Sequence, residues 1–297
     1  MRESYDEYLK ILNDNLLDYL PPVDPKSSTL YDAMKYSLTA GGKRLRPVLL
    51  MASCEFAGGK AEKALPYACA MEYIHTYSLI HDDLPCMDDD DLRRGKPTNH
   101  KVYGVGMATL AGDGLLNSAF EVMSKNLFMN FDDPDELKRH INAMYIITKA
   151  AGITGMVAGQ VSDIESEHTE CSEEMLEYIH RNKTGALLVG SVKAGLVLGG
   201  ADKEMLDDMT VYAENLGLAY QIRDDLLDVL GSAEEMGKNS GADAQHEKVT
   251  YVSLNGVENS EKKLKELTQE AVNVIEKYYD NAEFFRNLIL KLSERTK

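Results

Sequence analysis

The 297 residues carry 32 Lys+Arg against 49 Asp+Glu, a formal net charge of −17, and 44% of them are hydrophobic. That acidity argues against a nucleic-acid partner, whose phosphates must be met by clustered cations. No uninterrupted apolar run reaches about 18 residues, so no membrane span is expected, and the polar, acidic start (Met1 to Glu7) resembles neither a signal nor a transit segment, which makes the cytoplasm the expected location.

Apolar residues recur at helical spacing along almost the whole chain. A first helix is expected to end at Pro21-Pro22-Val23-Asp24-Pro25, and Gly41-Gly42 and Gly58-Gly59 mark turns. Residues 61–80 read as a helix through Ala64, Leu65, Ala68, Met71, Ile74 and Tyr77. Asp132-Asp133-Pro134 breaks the chain before a helix over 135–161, and further helices are expected over 173–198, 203–230 and 262–279. Gly199-Gly200 and a polar stretch over 231–248 separate them. Strand patterns are scarce, and no segment has the composition of an interdomain linker. The expectation is one all-α domain over residues 1–297, a bundle of about ten helices, some too apolar to keep a wet face. Cys54, Cys69, Cys86 and Cys171 lack metal or C-x-x-C spacing and are expected to be free thiols.

Two acidic clusters carry the chemistry. The first is His81-Asp82-Asp83-Leu84-Pro85-Cys86-Met87-Asp88-Asp89-Asp90-Asp91; alone it reads equally well as a solvated loop. The second, Gln221-Ile222-Arg223-Asp224-Asp225-Leu226-Leu227-Asp228, lies within an apolar helix. Asp224 and Asp228 are four apart and share a face, where like charges repel unless a cation joins them. Burying unpaired carboxylates is costly. The two clusters are reconciled if they face each other across a cavity that holds divalent metal. Oxygen-only ligands favour Mg²⁺, which takes one or two carboxylates plus substrate phosphate oxygens. A calcium-binding EF-hand is excluded, because the loop glycine and closing glutamate are missing. Pro85 lies between Asp82 and Asp88, and a helix break there would let Asp88 fold back towards Asp82.

Cations gather in the same neighbourhoods. Gly41-Gly42-Lys43-Arg44-Leu45-Arg46-Pro47 sets three positive charges beside a glycine pair that lets backbone approach a phosphate. Arg93-Arg94-Gly95-Lys96 follows the first aspartates, and Arg181-Asn182-Lys183-Thr184-Gly185, Lys238 and Lys248 complete the set. His75 lies seven residues before Asp82, two helical turns away on a similar face. Gln160 and Asp163 are further candidates for the same cavity.

The pairing of Asp82-Asp83-x4-Asp88-x4-Arg93-Arg94-Gly95 with Asp224-Asp225-x2-Asp228 resembles the trans-polyprenyl diphosphate synthases, most closely the bacterial-type farnesyl diphosphate synthases. The resemblance runs in motifs from Gly41 to Lys248. It implies an isoprenoid-synthase bundle around a central cavity, a homodimer, three Mg²⁺ ions, and isopentenyl and allylic diphosphates as substrates. By the same resemblance Asp82, Asp88 and Asp224 bind metal, while Asp83, Asp225 and Asp228 order metal-bound water or neighbouring ligands. Arg93 contacts the allylic diphosphate, and Lys43, Arg46, His75 and Arg94 hold isopentenyl diphosphate. Lys183, Lys238 and Lys248 grip the leaving diphosphate, the last two on a closing loop, and Thr184 and Gln221 lie near the developing cation. Tyr77 is an aromatic floor that limits product length to fifteen carbons, beside the small Ser78. The expected reaction is Mg²⁺-dependent head-to-tail condensation with farnesyl diphosphate as main product. A geranylgeranyl diphosphate synthase is the nearest alternative; a terpene cyclase or a non-catalytic subunit fits less well, given the Lys43/Arg46 segment and the complete set of aspartates.

Overall fold

The computed structural model describes residues 4–22, 24–167, 171–230 and 249–295. Within them the chain is helical: α1 Tyr5–Asn15, α2 Ser28–Leu38, α3 Leu45–Phe56, α4 Ala61–Asp82, α5 Asn99–Tyr103, α6 Val105–Met129, α7 Pro134–Ala151, α8 Met156–Ser166 and α9 Glu173–Ile179. A π-turn over His180–Gly185 leads into α10 Ala186–Gly199, followed by α11 Lys203–Leu230, α12 Tyr251–Ile275 and α13 Glu283–Glu294. The strands among the described residues are two-residue pieces, Leu92–Arg93 paired antiparallel with Lys96–Pro97. The all-α architecture expected from the sequence is the one found.

The local chemistry explains the starts and stops. Ser4 and Glu7 form a reciprocal capping box at α1, and Asp133 caps α7 with Pro134 at its first position. Helix α10 is apolar nearly all round and is packed between α3, α7 and α11. Its contact with α3 is close because Gly195 has no side chain: a Cβ there would lie 2.1 Å from the Leu50 carbonyl oxygen. The main core draws on α1 to α4, α6, α7, α10 and α13 and takes in Met209, Tyr212 and Leu216 of α11. A second cluster joins Leu218, Ile222 and Leu226 of α11 to Leu176 of α9 and Leu264 and Leu267 of α12. The second aspartate cluster thus stands on the part of α11 that belongs to this smaller core.

The helix expected over 135–161 is divided at Gly152–Gly155. A Cβ on Gly155 would sit 2.2 Å from the Ala150 carbonyl oxygen, so this corner closes only around glycine. The stretch 134–166 contains an 18-residue window of mean hydropathy 1.2 and is the one described segment that meets the length and composition of a membrane span, yet it is shared by these two helices. The helix expected over 262–279 starts earlier, at Tyr251, and ends at Ile275.

Candidate active site

Helix α4 ends at Asp82, and the chain then turns back through Leu84 and Met87. The Asp88 amide donates to the Asp82 carbonyl at 2.9 Å, so the fold-back expected from Pro85 is present. Asp82 is met from across the cavity. Gln160 of α8 donates to its Oδ1 at 2.8 Å, and Lys183 Nζ lies 3.7 Å from its Oδ2. Lys183 also donates to Asp163 at 2.7 Å. The π-turn widens the helix where Lys183 and Thr184 enter the site, a device common at functional positions. Gly159 permits this approach, since a Cβ there would fall 2.0 Å from the Lys183 backbone nitrogen.

Asp83 faces away from that contact. It is buried, and Arg93 Nε donates to its Oδ1 at 2.6 Å while reaching Asp90 at 3.3 Å. Burial raises its carboxyl to about 6, with Arg93 pulling in the opposite direction.

The second cluster divides in a similar way. Asp224 Oδ1 is ion-paired with Arg295, whose guanidinium also lies 4.2 Å from the centre of the Tyr220 ring. Arg295 is held in turn by Arg223, which donates through Nε to the Arg295 carbonyl at 2.8 Å. Asp225 is buried and accepts the Tyr251 amide at 2.7 Å, satisfying an orphan N–H at the start of α12. Asp228 and Gln221 are half-buried on the same helix.

The cationic corner is built on α3 and α4. Arg46 NH1 and His75 Nε2 are 3.5 Å apart, and Arg46 Nε is buried without a hydrogen-bond partner among the described residues. Desolvation, reinforced by the Arg46 guanidinium, holds the His75 imidazole well below its ordinary range and therefore neutral. Arg94 donates to the Gly41 carbonyl, with its guanidinium against Gly42. Lys43 Nζ lies 5.9 Å from the Tyr220 ring centre.

Arg46, His75, Asp82, Gln160, Lys183 and Thr184 line one cavity of about 380 Å³, whose remaining wall is largely apolar, with Tyr77, Met156 and Leu187, but also takes in His81. Ser78 also borders it. The Tyr77 ring stands edge-on to His81 at 5.7 Å, and His81 is itself wedged against Gly112 of α6, where a Cβ would lie 2.1 Å from its Nε2. Arg93 and Arg94 border an adjoining pocket with Asp83. Asp224 does not line the 380 Å³ cavity among the described residues, but its charge acts on Arg46 at the cavity edge. Lys238 and Lys248 lie outside the described residues.

Among the described residues no group of three His, Cys, Asp or Glu side chains is drawn together as a ready-made metal cage. The donor chemistry nevertheless fits Mg²⁺, which needs one or two carboxylates and takes its other ligands from water and phosphate. Asp82 and Asp224 each attract a cation across the fold, Lys183 and Arg295 respectively. Arg295 and Tyr220 carry no motif and went unmarked in the sequence, where Arg295 is one of several cations in the last dozen residues, with Arg286, Lys291 and Lys297.

The polyprenyl synthetase profile matches residues 27–283. The chain belongs to the polyprenyl synthetase family. It is 50% identical over 237 residues to a farnesyl diphosphate synthase of Geobacillus stearothermophilus, covering 79% of this chain and 78% of that one. It is 46% identical over 279 residues to a geranylgeranyl diphosphate synthase of Cyanophora paradoxa, covering 93% and 89%. Among solved structures, an FPP/GFPP synthase of Zymomonas mobilis superposes with a TM-score of 0.84 at 33% identity, covering 96% of this chain and 95% of that one. This polyprenyl synthetase is therefore a prenyltransferase that elongates prenyl chains from isopentenyl and allylic diphosphates.

Proposed function

We propose that this polyprenyl synthetase catalyses Mg²⁺-dependent head-to-tail condensation of isopentenyl diphosphate with dimethylallyl or geranyl diphosphate and that farnesyl diphosphate is its main product. The observation that carries the reading is one cavity that joins charged groups for diphosphate (Arg46, Asp82, Lys183) to an apolar wall containing the Tyr77 ring. Mg²⁺, when bound through Asp82, Asp88 and Asp224, supplies positive charge that offsets the charge leaving with diphosphate.

The chain's own residues do the rest. Lys183 is poised to hold the leaving diphosphate beside Asp82, and Arg93 to contact the allylic diphosphate. Such fixed charges in a desolvated site need no reorganisation as the C–O bond ionises. Lys43, Arg46, neutral His75 as hydrogen-bond partner, and Arg94 hold isopentenyl diphosphate so that its double bond meets the allylic cation. The motifs supply no dedicated base, and in this reading the released diphosphate takes the proton. The growing chain extends from Asp82 along α4 until it meets Tyr77, five residues earlier. That ring is backed by His81, which is itself held against Gly112 of α6, and this supports a rigid floor rather than a yielding one.

A homodimer belongs to the same reading. Leu110 and Phe128 on α6 and Ile141 and Tyr145 on α7 are exposed and available to a second copy. The test is an incubation of purified chain with isopentenyl and geranyl diphosphates, with and without Mg²⁺. Farnesyl diphosphate formed only with metal and both substrates is expected; product made without isopentenyl diphosphate would indicate a cyclase instead.

A further inference from the structure

The cationic corner has a buried device beneath it. The chain enters α3 through Gly41 and Gly42, both at positive φ, and then through Arg44 at φ 52. A non-glycine residue in the left-handed region is costly and persists only where its surroundings fix it. The Arg44 guanidinium supplies that fixing. It is buried, with one nitrogen paired to Glu72 Oε1 on α4 and another donating to the Leu38 carbonyl at the end of α2. Tyr5 adds a hydrogen bond to the Lys43 carbonyl. The turn at Arg44 sets the direction in which its neighbours Lys43 and Arg46 leave the backbone.

Glu72 sits three residues before His75 on α4, so the two share a helical face. It is 1% exposed, and its Oε2 accepts no hydrogen bond among the described residues. Its charge acts on Arg46 and Arg94, opposing the effect of burial on both guanidinium groups. One carboxylate thus serves three arginines, Arg44 directly and Arg46 and Arg94 through space. A buried ion pair is a poor device for stability alone, because well-packed apolar residues often replace it without loss. The position of this pair, tying α2, α3 and α4 together directly behind Arg46 and His75, calls for another explanation.

We propose that Glu72 and Arg44 are positioning residues for the isopentenyl diphosphate site. They hold Lys43, Arg46 and His75 in the arrangement that receives one diphosphate, and they act through those residues without touching the substrate. The proposal rests on the reading above that this corner takes isopentenyl diphosphate and not the allylic one.

The test compares steady-state kinetics and thermal stability of the wild type, Arg46→Ala, Glu72→Gln and the double variant Arg44→Met/Glu72→Leu. The double variant removes both members of the pin, so neither Arg44 nor Glu72 is left as a lone buried charge, and Arg46 and Arg94 lose only the through-space influence of Glu72. It is expected to melt close to the wild type, to raise KM for isopentenyl diphosphate about tenfold or more, and to leave KM for geranyl diphosphate within about twofold. Glu72→Gln keeps the shape and is expected to raise the same KM by a smaller factor; it decides the matter if the double variant does not fold. Equal rises in both KM values, or an unchanged isopentenyl KM in a folded variant, would overturn the proposal. If Arg46→Ala instead raises KM for geranyl diphosphate, the assignment of the corner itself fails, and that result is distinct from an intact Arg46 effect with no effect of the pair.

Discussion

The two aspartate clusters use the same residue pair in different settings. In both, the first aspartate meets a cation from a distant element: Asp82 meets Lys183, and Asp224 meets Arg295. In both, the second aspartate is buried, but for different ends. Asp83 holds the side chain of Arg93, ten residues on, whereas Asp225 holds a backbone amide at the start of α12. The first cluster sits on a turn after α4, where the chain can re-aim a charged group. The second sits within α11, where geometry is already set and the second carboxylate anchors the start of α12. Similar sequence patterns therefore meet a distant cation through their first member and differ in the partner held by their second.

That contrast can be broken most sharply at the first members. Asp82→Ala and Asp224→Ala are each expected to lower kcat by about three orders of magnitude or more, ~4 kcal/mol of transition-state stabilisation, with folding largely intact. Near-normal turnover of either variant, with Mg²⁺ as sole metal, would remove that cluster from the chemistry.

The second members should then separate. Asp83→Asn is expected to lower kcat/KM for the allylic substrate by about tenfold, because Arg93 loses its charged anchor. Asp225→Ala is expected to act on stability, costing ~1–3 kcal/mol in a denaturant titration by leaving the Tyr251 N–H unpaired, with Asp225→Asn recovering most of it. If Asp225→Ala melts normally but loses turnover, the division of labour drawn here is wrong.

A smaller effect tests the ground around Lys183. His180 begins the π-turn and is buried, and desolvation depresses its imidazole from the ordinary value of 6.5 to about 4, with Asp163 pulling the other way. The unfolded chain takes up this proton near pH 6.5 while the folded chain does not until about pH 4, so stability present above pH 6.5 drains as pH falls between them. The loss amounts to roughly 3 kcal/mol by pH 4. Chemical denaturation across that range should show it, and His180→Gln should flatten the slope; an unchanged slope would mean that the ring is accessible to protons.

Much of this was legible in the residues. The spacing of apolar positions marked α4 and α11 almost to their ends, and the Asp82/Asp88 and Asp224/Asp228 patterns named two acidic centres before any geometry was known. Two kinds of feature were not legible. Partnerships across long sequence separations leave no local trace, so Arg295, 71 residues from Asp224, looks like any terminal cation. Glu72, in a helix otherwise read for its apolar face, gives no sign that it is buried against Arg44. Roles set by orientation are equally hidden, since Asp224 and Asp225 are adjacent and only the helix decides which one faces α12. The break at Gly155 escaped for a related reason, because glycine within a periodic run signals a corner only once a carbonyl is seen to occupy the missing Cβ.

The central claim is that the cavity elongates a prenyl chain from Asp82 and stops it at Tyr77. Product chain length from the wild type and Tyr77→Ala, measured side by side with isopentenyl and geranyl diphosphates and Mg²⁺, tests it most directly. Farnesyl diphosphate from the wild type and a shift to twenty-carbon and longer products from the variant are predicted. A fifteen-carbon limit in both, or mostly geranylgeranyl diphosphate from the wild type, would contradict it.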